Sequence, residues 1–154
     1  MKPFMQRWLL VFAAMMLSIS AQAQAPDAGP ATLADLQAMG KPVVLTLDEL
    51  KTLIPDARMS RVVQSGNRHT WRNLPDGTLF LVNDNAFTSS SRRASTNQGK
   101  WSISPDGRYC LYVEFGQRDP EKWCRVVLQV GNDFYVASSG DDPAARVFKM
   151  GIAK

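Results

Sequence analysis

From Asp56 onward, short apolar runs alternate with tight-turn residues, and this pattern restricts the fold more than any other feature. In the joints between runs, proline presets φ, glycine accepts positive φ, and aspartate or asparagine bonds its own backbone. The joints are Ser65-Gly66-Asn67, Pro75-Asp76-Gly77, Pro105-Asp106-Gly107 and Gly131-Asn132-Asp133. The runs predict strands at 58–65, 67–73, 77–83, 99–104, 107–115, 122–130, 133–138 and 146–152.

Strands this short, joined by hairpin turns, predict a mainly β fold with an antiparallel meander of seven or eight strands. Such a meander closes into a small barrel or curls into a sandwich. Period-2 alternation puts His69 with Trp71 on one face, and Trp101 with Ile103 on another. The run 122–130 is apolar on both sides, which indicates a central strand or one that a helix covers.

Two short helices are predicted before the strands, at 32–39 and 46–54. Thr32 is the expected N-cap of the first, with Asp35 at the N3 position. Thr46 and Glu49 have the spacing of a capping box for the second helix. We expect these helices and the strands to form a single domain over 32–154, after a flexible leader at 24–31.

The first 23 residues have the features of a secretory signal peptide. Lys2 and Arg7 form a positively charged segment before an apolar stretch at 8–19. Ala21-Gln22-Ala23 then has the A-x-A pattern of a cleavage site. The stretch is shorter than the roughly 20 apolar residues of a membrane span. We therefore expect cleavage after Ala23, a periplasmic or secreted protein, and no stable membrane span; an uncleaved N-terminal anchor is the alternative.

The formal net charge of +4 includes both bases of this predicted signal. The remaining basic residues are interspersed with acids, whereas a nucleic-acid binder shows a clustered basic face. We therefore expect no nucleic-acid partner.

Cys110 and Cys124 are the two cysteines of the chain. Export to an oxidising compartment and an even count predict a disulfide between them. Alternation places Cys110 on the polar side of its strand and Cys124 on an apolar side with Val126 and Leu128, so a bulge or bend is expected between the strands. A catalytic redox pair is disfavoured because such pairs have Cys-x-x-Cys spacing.

The residues that carry catalysis in other proteins are sparse here. His69 is the one histidine, no Gly-x-Ser-x-Gly motif accompanies it, and the ligand spacing of a zinc site does not occur. We predict no catalytic residue, no metal and no cofactor. Glu114 is the one acid inside a clear strand, and a glycosidase needs two facing carboxylates.

Three segments carry a family resemblance: TWRNLPDGT (70–78), GKWSISPDGRYC (99–110) and EKWCRVVLQVGNDFYV (121–136). They resemble a domain-of-unknown-function family of small exported proteins from Gram-negative bacteria. The residues that match the signature are Trp71, Trp101, Cys110, Trp123, Cys124 and Arg125. The resemblance, which runs from about Leu45 to the C-terminus, implies a compact periplasmic β-domain with a paired-cysteine core, and it implies no activity.

The expected function is a non-enzymatic periplasmic binding or interaction module, with an unidentified envelope ligand or protein as partner. The candidate ligand face consists of His69, Trp71, Arg92, Arg93 and Tyr112. Arg92 and Arg93 belong to a Ser/Thr-rich loop predicted at 84–98, of a length that is often functional or disordered. One alternative is a carboxylate-dependent hydrolase of envelope glycans. The other is a structural stress protein or a lysozyme-inhibitor-like protein, although the inhibitory loop motifs are absent.

Overall fold

Four ranges of this protein are described by a computed structural model: 29–63, 66–84, 95–116 and 118–154. The predicted signal at 1–23 lies outside these residues, as does the leader up to residue 28. Arg92 and Arg93, with most of the predicted 84–98 loop, lie outside them as well.

The described residues form two helices and nine strands. The helices are α1 (Leu33–Met39) and α2 (Leu47–Leu53). The strands are β1 (Val43–Val44), β2 (Arg58–Val62), β3 (Arg68–Asn73), β4 (Thr78–Asp84), β5 (Ser95–Ile103), β6 (Tyr109–Phe115), β7 (Arg118–Val130), β8 (Asp133–Ala137) and β9 (Val147–Ala153).

Strands β2 to β9 form a closed antiparallel barrel of eight strands. Each pairs with the next one along the chain, and β9 returns to pair with β2. Short strand β1 lies outside this circle and pairs with β7 through Val43–Gln129 and Val44–Leu128. The predicted meander is confirmed, and of the two forms left open the barrel is the observed one.

Two turns with the same Pro-Asp-Gly sequence reverse the chain at one end of the barrel. Gly77 and Gly107 have φ of 84° and 74°, a conformation that side chains with a Cβ rarely adopt. Asp76 completes the first turn, since its Oδ1 accepts a hydrogen bond from the Thr78 amide at 2.9 Å. These local contacts explain why the strand boundaries agree with the predicted ones to within a few residues.

Helix α2 covers the barrel interior at this same end. The capping box is present, with the Thr46 amide donating to Glu49 Oε2 at 2.7 Å. The side chains of Leu50 and Ile54 are fully buried among the inward residues of the strands. These inward residues include Met59, Trp71, Leu79, Leu81, Tyr109, Leu111, Val113, Val127, Val136 and Met150.

Helix α1 covers a second apolar cluster on the outside of the barrel. Its buried Leu33 and Leu36 pack with Val126 and Leu128 of β7 and with residues of β8 and β9. This packing explains why the run 122–130 is apolar on both sides, and it agrees with the predicted cover by a helix. One side faces the barrel interior, and the other is covered by a helix.

The disulfide joins Cys110 and Cys124 as predicted, but its surroundings differ from the expectation. The two residues are directly opposite in the β6–β7 register, and the register shift lies farther along, between Val113 and Phe115. The bulge expected between the strands is therefore present, but it does not lie beside the cysteines. Both cysteine side chains lie on the outer face, which α1 covers only from Val126 onward, so the disulfide lies outside the buried core.

Candidate functional site

The wall of the barrel contains a region where charged and aromatic side chains meet at inward strand positions. Arg61 of β2 lies two residues after the buried Met59, and therefore on the same face. The inward residues of β7 that lie opposite buried residues of β6 are Glu121, Trp123 and Arg125. Arg146, just before β9, and Phe148 of β9 join these four residues. The six residues together are called the arginine cluster.

Strand pairing explains how β7 and β9 come together here. β8 ends at Ala137, which pairs with Val126 of β7. Before Val126, the described chain has no strand on the β8 side of β7, so the side chains of β7 reach β9 directly. The guanidinium carbon of Arg125 accordingly lies 4.4 Å from the centre of the Phe148 ring.

Glu121 is the carboxylate of the arginine cluster. It forms an ion pair with Arg61, and its Oε1 also accepts a hydrogen bond from Trp123 Nε1 at 2.7 Å. The side chains of Arg61 and Glu121 are 12% and 23% exposed, so the pair is shielded from most of the solvent. These contacts hold the Trp123 ring and the Arg61 guanidinium in defined positions.

Guanidinium groups and aromatic rings alternate across the arginine cluster. The guanidinium carbons of Arg61 and Arg125 lie 5.7 Å and 5.3 Å from the centre of the Trp123 ring. Arg125 also contacts the Phe148 ring, and the guanidinium of the exposed Arg146 lies 5.5 Å from the same ring. A cation over an aromatic face is attracted by the quadrupole of the ring, which orders these long side chains.

Positive charge exceeds negative charge in this region, with three guanidinium groups and one carboxylate among the described residues. Burial, followed by repulsion from Arg61, lowers the pKa of Arg125, although Glu121 acts in the opposite direction. Arg61 Nε and Arg125 Nη1 are buried nitrogens with no hydrogen-bond partner among the residues described. Such a region can attract an anion, because an oxyanion supplies both negative charge and acceptor atoms.

The predicted ligand face is not one surface in the structure. His69 and Trp71 are buried inside the barrel, 6% and 2% exposed. Tyr112 lies on the outer face of β6, where its hydroxyl donates to Glu114 at 2.9 Å, and this bond raises the Tyr112 pKa. His69 pairs with Arg61 across the strands, so that one residue of the predicted face borders the arginine cluster.

Tyr112 belongs to a groove on the outer surface of the barrel. Lys100 of β5 and Lys122 of β7 lie directly opposite Tyr112 on its two sides. The Cys110–Cys124 disulfide forms the adjacent wall of this groove. The groove is therefore lined by two lysines and a tyrosine, and it is separate from the arginine cluster inside.

The other signature residues divide between structure and site. Trp101 Nε1 donates to the Leu74 carbonyl at 2.8 Å, which fixes the turn between β3 and β4. Trp123 and Arg125 belong to the arginine cluster. Sequence reasoning named these two residues but missed Arg61, Glu121, Arg146 and Phe148. One signal in the sequence could have found the site. Arg61 lies two positions after the apolar Met59, so alternation puts a charged side chain on the same face as a core residue.

The carboxylate of the hydrolase alternative lies away from this cluster. Glu114 is exposed on the outer face of β6, while Glu121 lies on the inner face of β7. The barrel wall therefore separates these two acids. Within the described ranges, no three His, Cys, Asp or Glu side chains gather closely enough to hold a metal ion.

Fold and site together define a small closed β-barrel with a cationic, aromatic-lined cluster in its wall. Comparison with protein-family models, with curated proteins and with solved structures finds no match to this chain. Neither helix of the described part has the length and apolar character that a membrane crossing requires.

Proposed function

We propose that this protein is a non-enzymatic binding or interaction module, periplasmic or secreted, whose ligand or partner contacts the arginine cluster. The observation that carries the proposal is the set of three guanidinium groups around a single described carboxylate, Glu121, in the barrel wall. Partly buried charges are unfavourable unless they are paired and hydrogen-bonded. A bound partner with acceptor groups satisfies that requirement.

The compartment is supported by two features. The Cys110–Cys124 disulfide is compatible with an oxidising environment. The first 23 residues have the charge, apolar stretch and small residues of a secretory signal.

The alternatives have less support from the arrangement of residues. A hydrolase needs two carboxylates facing one substrate, whereas Glu114 and Glu121 lie on opposite faces of the barrel wall. A purely structural protein accounts for the apolar interior near α2. It does not account for a second region in which guanidinium groups remain half-buried with unpaired N–H groups.

The test uses the complete sequence expressed in a Gram-negative host. The protein is located by osmotic shock and then purified under non-reducing conditions. A periplasmic extract is added, first as its low-molecular-mass fraction and then whole, and ¹H–¹⁵N spectra are recorded. We expect release by osmotic shock, and shifts of the Trp123 indole signal with little change at the Trp101 indole, whose partner is a turn carbonyl away from the cluster.

Two results would overturn this proposal. One is an unchanged spectrum at every residue of the arginine cluster. The other is a time-dependent disappearance of an extract component in proportion to protein concentration, because that indicates catalysis rather than binding. Both are read by following the same mixture with NMR and mass spectrometry.

A further inference from the structure

We infer that the arginine cluster binds the carboxylate or phosphate group of a small organic anion, with Arg125 as the central contact and the Trp123 and Phe148 rings against the organic part. This inference rests on the proposed function and deepens it, because it names the chemical class of the ligand. None of the six residues of the arginine cluster belongs to the predicted ligand face.

The first support is the excess of positive charge. Arg61, Arg125 and Arg146 surround one described carboxylate, and Glu121 already accepts from both Arg61 and Trp123. An ion pair between Glu121 and Arg61 leaves the charges of Arg125 and Arg146 without a described acid partner. Burial first, and then repulsion from Arg61, lower the pKa of Arg125, and an added oxyanion opposes the repulsion.

The second support is the orientation of Arg125. Its guanidinium lies between two rings, at 5.3 Å from the Trp123 centre and 4.4 Å from the Phe148 centre. Contact with two rings restricts the motion of the guanidinium before a ligand arrives. Arginine suits carboxylate and phosphate because its fork of donors matches two oxygens at once.

The third support is the set of buried donors. Arg125 Nη1 and Arg61 Nε are both buried without a partner in the described chain. A buried donor that has no acceptor is unfavourable. Both donors belong to residues whose guanidinium carbons lie near the same Trp123 ring, at 5.7 Å and 5.3 Å from its centre, so the two unpartnered nitrogens belong to one region of the barrel.

The aromatic rings favour an organic anion over a free inorganic ion. Trp123 and Phe148 are both partly buried and lie beside the cationic groups. A ligand with an apolar or ring-shaped body gains contact with these rings in addition to the charge-assisted hydrogen bonds. Arg146, the member of the arginine cluster at its edge, is exposed to solvent.

The experiment titrates the complete, oxidised protein with four probes: phenyl phosphate, benzoate, inorganic phosphate and neutral benzyl alcohol. The readouts are the indole signal of Trp123 and the Nε–H signal of Arg125. The Trp71 and Trp101 indoles serve as internal controls, because their acceptors, the Tyr109 hydroxyl and the Leu74 carbonyl, do not belong to the arginine cluster. We expect shifts with phenyl phosphate and benzoate, weaker binding of inorganic phosphate, and none with benzyl alcohol.

Matched variants separate a local site from general electrostatics. Arg125→Gln and Arg58→Gln remove the same charge, but Arg58 is an exposed residue of β2 outside the cluster. We expect Arg125→Gln to weaken phenyl phosphate binding about tenfold or more, and Arg58→Gln by less than about twofold. If Arg125→Gln does not fold, Arg146→Gln, at an exposed position, is expected to weaken binding about threefold or more.

Several results would overturn the inference. One is an equal loss of phenyl phosphate affinity in the Arg125→Gln and Arg58→Gln proteins. Another is binding of benzyl alcohol or of inorganic phosphate that equals the binding of phenyl phosphate. The last is the absence of any shift with either organic anion. If the organic anions fail while the periplasmic extract still shifts the Trp123 indole, the anion inference fails and the binding function stands. If both fail, the proposed function fails as well.

Discussion

The indole Nε1 of Trp71 donates a hydrogen bond to the phenolic oxygen of Tyr109 at 2.9 Å, inside the barrel where both side chains are buried. The Tyr109 hydroxyl in turn donates to Asn73 Oδ1 at 3.0 Å. Asn73 Nδ2 donates to the Ile54 carbonyl, just after α2, at 3.3 Å. This polar chain therefore joins two strands of the barrel to the helix that covers its end.

Tyr109→Phe should lower the free energy of unfolding by about 1–3 kcal/mol, because it leaves a buried donor on Trp71 and a buried acceptor on Asn73 without their partner. Urea unfolding followed by tryptophan fluorescence measures the change. Tyr112→Phe is the control, since the Tyr112 hydroxyl bonds only an exposed carboxylate in the described structure. Equal effects of the two substitutions would contradict the buried chain as a source of stability.

Tyr109 should also make the protein less stable at high pH. Burial raises the pKa of Tyr109 above its ordinary value of 10.0, against the weaker opposing effects of Trp71, Asn73 and Arg61. Above about pH 10 the unfolded chain therefore holds fewer protons than the folded one, so the free energy of unfolding falls as pH rises. We expect a steeper fall above about pH 10 in the native protein than in Tyr109→Phe; parallel curves would refute it.

The capping box of α2 should contribute to the stability of the whole barrel, since this helix covers the interior. Thr46→Ala removes the Oγ1 that accepts from the Glu49 amide at 3.3 Å. We expect a loss of about 1 kcal/mol in thermal or urea unfolding. Thr52→Ala, which removes an exposed hydroxyl bonded within the same helix, should change stability by less than about 0.5 kcal/mol. A neutral Thr46→Ala would show that α2 contributes little.

The disulfide should stabilise the barrel although it lies on the outer face. The bond closes a loop with a sequence separation of 14, for which the chain-entropy model gives about 3 kcal/mol. The double variant Cys110→Ala/Cys124→Ala should lose about this amount in urea unfolding, while Ser102→Ala, at the outward neighbour of Cys110, should lose much less. Free thiol detected after denaturation of the exported protein would contradict the bond itself.

Gly99 of β5 should tolerate no side chain. A Cβ at this position would overlap the Tyr112 carbonyl oxygen and lie 3.1 Å from the Val113 Cα, so β5 and β6 would have to move apart. Gly99→Ala should therefore lower the free energy of unfolding by about 1–3 kcal/mol. Gly116→Ala is the matched control, because no atom lies within 4 Å of a Cβ there. Similar melting temperatures for the two variants would disprove the close approach.

The sequence was sufficient to predict the parts of the fold that depend on near neighbours. The two Pro-Asp-Gly turns and the capping boxes of Thr32 and Thr46 are local hydrogen-bonded units, and each is present. The alternation that puts His69 and Trp71 on one face of β3 is confirmed as well, since both side chains are buried. The cysteine pairing was accessible because the chain has two cysteines and no other combination.

The candidate site could be predicted only in part. Trp123 and Arg125 were named through a motif, while Arg61 and Glu121, which are separated by 60 residues in sequence, carried no shared local pattern. His69, Trp71 and Tyr112 were grouped by residue type. The inward faces of β3 and β6 then separated them, because Tyr112 lies on the outer side of its strand.

The sequence by itself therefore determined the strands, the turns, the helix caps and the cysteine pair, since these depend on residues a few positions apart. Only the tertiary structure decided that β9 closes onto β2 and that α1 covers the outer face of β7. It also decided that the cysteines lie outside, and that Arg61 and Arg125 meet at Trp123. The physical reason is that alternation defines two faces of a strand, but barrel closure decides which one is inward and which distant residues share the interior.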